Sequence, residues 1–101
     1  MDARERLELW MHVWRAIAAK NEYREKVRRG INIRSVEEYD TAISALRGGN
    51  LAPAIRILRS ECEQAERVIG DKSFSATERE EFEQHRQKVN RILLAVSSDN
   101  N

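Results

Sequence analysis

Apolar positions in the first third of the chain recur at helical spacing along two lines at once. Leu7, Trp10, Met11, Trp14, Ile17 and Ala18 form one stripe, stepping by three and four residues. Leu9, Val13, Ala16, Tyr23 and Val27 form a second on a neighbouring face, with Lys20 interrupting it. Together the stripes span an arc of roughly 220°, about twice the ~100° that one buried face needs. One layer of neighbours does not cover both, so the first helix is expected to carry surplus apolar surface. It begins near Asp2 or Ala3. It either runs unbroken to Arg29 with Gly30 as a left-handed cap, or breaks near Lys20 and Asn21 with Asn21 capping a second segment. The unbroken helix is the preferred reading, followed by an extended linker at 31–34.

Three further helices follow from caps and periodicity. Ser35-Val36-Glu37-Glu38 reads as a capping box, in which the serine hydroxyl accepts from the Glu38 amide and the Glu38 carboxylate reaches back. The second helix then places Val36, Tyr39, Ile43 and Leu46 on one face and stops at Gly48-Gly49. Asn50 is the next cap, and Pro53 falls in the first turn of the third helix, where its missing N–H costs no intrahelical bond. That helix is predicted to reach Ile69 with a stripe of Leu51, Ala54, Ile55, Leu58, Cys62, Ala65 and Ile69. Glu61, Glu63, Glu66 and Arg67 are predicted to face out, and Gly70 ends the helix. Ser75-Ala76-Thr77-Glu78 is a second capping box. The fourth helix buries Phe82, His85, Val89, Ile92, Leu93 and Val96, leaving 98–101 as a disordered tail. Four helices joined by short loops predict an all-α chain, a small antiparallel four-helix assembly in a single domain over 1–97.

Composition narrows the range of functions. At 101 residues, with 41% hydrophobic and 35% charged residues, four Gly and one Pro, the chain has the size and balance of one small helical domain. It contains no apolar run of about 18 residues, the length a membrane span needs. Asp2, Arg4, Glu5 and Arg6 stand where a secretory leader would carry its apolar region, so a soluble, cytoplasmic protein is expected. Cys62 is the single cysteine, which rules out an internal disulfide and leaves a cysteine-based zinc site short of ligands. Its expected role is that of a small apolar residue on a helix.

Charge is distributed unevenly. Residues 1–34 hold nine Lys or Arg against five Asp or Glu, a net of +4, whereas 35–101 hold nine against twelve, a net of −3. The densest basic run is Lys20, Arg24, Lys26, Arg28 and Arg29, followed by Arg34. Those cations suit phosphates, with Tyr23 available to stack on a base, or an acidic protein surface; cations in the last turns of a helix are also ordinary dipole compensation. Glu37-Glu38-x-Asp40 and Glu80-Glu81-x-Glu83 sit at helix starts, where the positive end of the macrodipole accounts for them without a metal.

Candidate chemistry is sparse. His12 lies between Met11 and Val13 with no imidazole or carboxylate four residues on, and reads as a boundary residue. His85-Arg86-Gln87-Lys88 resembles the His-x-x-Lys core of histidine phosphotransfer domains, which are four-helix bundles. In that family a small residue, usually glycine, follows the lysine; Val89 stands there in this chain, and His85 falls on the apolar stripe, so a structural histidine is expected. Ala45, Gly49, Ile55 and Leu58 resemble the spacing of a helix-turn-helix, which would make the third helix a recognition helix with Asn50, Arg56 and Arg59 near DNA. The pattern departs at Asn50, where that family carries an apolar residue. The stretch from Gly48 to Glu61 also resembles half of a tetratricopeptide hairpin, with Ala42, Ala54 and Leu58 in packing positions, though no second copy follows. A generic helical hairpin accounts for both likenesses.

No catalytic, metal or cofactor site is assigned from the sequence. The expected function is a non-catalytic protein–protein interaction module, a regulator, adaptor or inhibitor, with a homodimer as one form of the contact. Leu9, Val13, Ala16, Tyr23 and Val27 are the expected apolar contacts, and Lys20, Arg24, Lys26, Arg28, Arg29 and Arg34 the basic patch. The alternative is nucleic-acid binding through the segment 20–34 or a degenerate helix-turn-helix at 36–59.

Overall fold

The computed structural model describes residues 2–20 and 35–99, and among these the chain is all-α: α1 (Ala3–Ala19), α2 (Val36–Arg47), α3 (Ala52–Ile69) and α4 (Ala76–Asp99). No strand occurs among the described residues. The predicted starts follow from local chemistry. Asp2 caps α1, its carboxylate accepting from the Glu5 amide at 2.8 Å. Both capping boxes form: Ser35 Oγ accepts from Glu38 N at 3.3 Å and Ser75 Oγ from Glu78 N at 3.1 Å, each with the reciprocal bond to the glutamate. Gly48 caps α2, and Gly49 takes φ 92°, a left-handed conformation open to glycine without strain.

Three boundaries differ from expectation. α1 does not continue unbroken: it ends at Ala19, and the Lys20 amide is shared between the Ala16 and Ile17 carbonyls, both at 3.2 Å. Such a bifurcated bond tightens the last turn where the apolar periodicity gives way to Lys20-Asn21. The expected continuation and linker at 21–34 lie outside the described residues. α3 begins two residues after Asn50, whose side chain accepts from the Ala52 amide at 3.1 Å while the Leu51 carbonyl takes the first helical bond, from Ile55, at 3.0 Å. α4 continues through Asp99, two residues into the expected tail.

The chain groups into two compact units, Met1–Ile57 and Leu58–Asn101, with the division inside α3. In the first unit α1 packs on α2. Its buried side chains include Leu7, Met11 and Ala18 of α1 and Tyr39, Ala42, Ile43 and Leu46 of α2. Full burial of Leu7 and Met11 is worth about 1.5–3 kcal/mol each. In the second unit Leu58, Ala65 and Val68 of α3 and Val89 and Val96 of α4 are buried. The α3 stripe sits slightly to one side of its prediction: Ile57 and Val68 are buried, while Ile55, Cys62 and Ile69 are half-buried. Glu61 turns inward instead of out. Its side chain is 13% exposed, and a carboxylate oxygen lies 4.0 Å from His85 Nε2.

Candidate interaction surface on the first helix

At about 100° per residue, the buried Leu7, Met11 and Ala18 define the inner face of α1. Leu9, Val13 and Ala16 fall on the opposite side. Leu9 is 50% exposed and Val13 47%, and Ala16 is exposed beside them. Between outer and inner faces, on one flank, lie the half-buried Ile17, Trp10 and Trp14. The two indoles pack together with ring centroids 6.0 Å apart and planes tilted by 40°. Apolar side chains therefore reach around the helix from core to solvent on this flank, with Arg6 as the polar position between the flank and the outer face.

The other flank is polar and tied to α2. Arg47 Nε donates to Glu8 at 3.0 Å, and its Nη2 lies 3.3 Å from His12 Nε2. A guanidinium can only donate, so His12 Nε2 is the acceptor in this contact. Arg15 pairs with both carboxylate oxygens of Asp40, and Arg4 donates to the Leu46 carbonyl at 3.3 Å. The hydrogen bond from Arg15 holds Asp40 below the ordinary carboxylate range and raises the arginine in turn. His12, Arg15, Asp40, Ile43, Ser44 and Arg47 line a groove of about 410 Å³ here. Its charges are already paired across the helices, and the imidazole acceptor is turned to Arg47. The groove is thus a seam that fixes which face of α1 meets α2. Arg4, Glu8, His12 and Arg15 form a polar row at helical spacing, the one sequence signal for it.

The remaining candidates are placed as follows. Tyr23 and Val27 of the apolar set, and Arg24, Lys26, Arg28, Arg29 and Arg34 of the basic patch, lie outside the described residues. Lys20 is exposed at the end of α1. His85 is half-buried, 22% exposed at its side chain; the Glu61 carboxylate beside it would repel an incoming phosphoryl group. Burial pushes the Cys62 thiol up, with Glu66 and Glu61 adding to the effect, so the thiolate needed for reactivity is disfavoured. Arg56, near DNA on the helix-turn-helix reading, lines a groove together with Glu37 and Glu38, which oppose phosphate binding. Among the described residues no group of three His, Cys, Asp or Glu is placed to hold a metal ion, and no helix is long and apolar enough to cross a membrane. Compared with known proteins, the chain matches no family model, no curated protein and no solved structure.

Proposed function

We propose that this chain is a small non-catalytic protein-interaction module, a regulator, adaptor or inhibitor, that engages its protein partner through the outer face of α1. The observation that carries this reading is the exposure of about half of Leu9 and Val13 on the side of α1 opposite the buried Leu7 and Met11. Leaving such side chains in water forgoes their burial, about 1.5–3 kcal/mol each when complete. Contact with another protein recovers that free energy. Ile17 and Trp10 widen the patch at its edge, and a tryptophan at the border of an apolar strip is a common anchor in protein interfaces. Lys20 begins the basic end, which would steer an acidic partner and make association faster at low salt.

Leu9→Asp and Val13→Asp test the proposal. Both variants are expected to keep the helical circular dichroism and a cooperative thermal transition, and to lose capture of the protein partner from the native source. Unfolding of the monomer by either change, or undiminished capture, would sink the assignment. Nucleic-acid affinity that falls steeply with salt and survives both substitutions would favour the alternative instead.

A further inference from the structure

We infer that the partner of this face is a second copy of the chain, and that the two α1 helices pair antiparallel about a two-fold axis at the level of Met11. This rests on the interaction-surface reading above and specifies its occupant. The outer face of α1 carries Asp2, Arg6, Leu9, Val13, Ala16 and Lys20, all exposed. Their spacing alternates four and three residues, the period of a two-helix seam, and at about 100° per residue they stay within an arc of about 80°. Along the seam an acid, Asp2, stands at the N-terminal end, followed by Arg6, the apolar Leu9, Val13 and Ala16, and a base, Lys20, at the C-terminal end.

That order is self-complementary in one orientation only. In the antiparallel arrangement Asp2 faces the partner's Lys20, Arg6 faces the partner's Ala16, and Leu9 faces the partner's Val13. The two-fold repeats every contact. Opposite charges meet at both ends and the exposed aliphatic side chains meet near the centre. Arg6 lies against the smallest residue of the seam, which leaves room for its stem while the guanidinium reaches water. A parallel pair would set Asp2, Arg6 and Lys20 each against the same residue of the partner, three like-charge contacts. The antiparallel pair also sets each helix's N-terminal partial positive charge beside the other's C-terminal partial negative charge. The contact runs about 27 Å along the helix, at the small end of specific interfaces, so association in the micromolar range with marked salt dependence is expected.

Sedimentation velocity on the intact chain, from low micromolar to near-millimolar concentration, is expected to show a reversible monomer–dimer equilibrium. Leu9→Asp should abolish it. Lys20→Glu should raise the dissociation constant about three- to tenfold through two repulsive end contacts, and Asp2→Asn, which keeps the cap, by less. Register is read by disulfide trapping, with cross-linked peptides identified by mass spectrometry. A mixture of Leu9→Cys and Val13→Cys chains should form the mixed disulfide in preference to either homodimer. Predominant Leu9→Cys homodimers would indicate a parallel pair and overturn the inference. So would a chain that stays monomeric at every concentration and forms no mixed disulfide. If Leu9→Asp still abolishes capture of a different protein in that case, the interaction surface survives and only its occupant is wrong; if capture is also unaffected, both readings fall.

Discussion

α1 and α3 are almost equal in length, 17 and 18 residues, yet they treat their large apolar side chains differently. Every large aliphatic of α3 is buried or half-buried, because its apolar positions fall within one arc and the charged residues Arg56, Arg59, Glu63, Glu66 and Arg67 take the exposed remainder. α1 leaves Leu9 and Val13 in solvent, because its apolar positions run from the inner face around one flank to the far side. The lesson is that arc width, and not apolar content, decides whether a helix finishes its burial inside its own chain. A wide arc exhausts the neighbours available within a small protein, and what is left over stays exposed, as Leu9 and Val13 do.

Four experiments sharpen or break this contrast, in falling order of expected effect. Truncating the inner faces should hurt both helices alike: Leu7→Ala in α1 and Leu58→Ala in α3, both fully buried, are expected to cost about 2–5 kcal/mol each in denaturant unfolding. A cost below 1 kcal/mol at Leu7 would mean that the inner face of α1 has been misassigned. Next come the caps. Asp2→Ala and Ser35→Ala remove one bond each to an exposed helix start and should cost about 1 kcal/mol by the same measurement, which tests whether local chemistry sets these boundaries.

Smaller still is the outer face, where Leu9→Asp or Val13→Asp should change monomer stability by only about 0.5 kcal/mol, measured at concentrations below association. A loss comparable with that of Leu7→Ala would erase the difference between the faces of α1. The least effect concerns acid. Asp40, Asp71 and Glu83 all hold their protons less tightly than ordinary carboxylates, through bonds from Arg15, from the Ser73 amide and from Arg86 respectively. A carboxylate whose folded-state pKa is lowered stabilises the fold above its unfolded value, and that contribution disappears as the pH falls through the folded value. Asp40→Asn should therefore leave neutral stability almost unchanged and slightly flatten the loss of stability below about pH 4, followed by thermal melts. Because the Arg15–Asp40 pair is exposed, a steep change would show that the seam between α1 and α2 carries more of the fold than its solvent contact implies.

Much of this architecture was legible from residues alone, and the legible parts share a cause. Helix starts were read correctly at Asp2, Ser35 and Ser75 because a cap is a contact between residues two or three apart, which the chain makes whatever surrounds it. The inner stripe of α1 was equally readable, since periodicity names a face without naming its neighbour. Glu61 was misread for the complementary reason. Carboxylates are placed outside by default, but the position 4.0 Å from His85 depends on a residue 24 places further along the chain, and no local rule reports it. The end of α1 at Ala19 matches the break near Lys20 and Asn21, which ranks second in the sequence because a second stripe that continues into 21–27 outweighs a two-residue polar interruption.

The candidate surface divides in the same way. The sequence determined that α1 has more apolar circumference than one face can use, because side-chain direction along a helix follows from spacing. It could not say which part of that circumference would be covered. Only the tertiary structure decided this, by locking Arg4, Glu8, His12 and Arg15 onto Asp40, Leu46 and Arg47 of α2. Those contacts fix the rotation of α1 about its own axis, and a helix held at one rotation must turn the opposite side, Leu9 and Val13, to water.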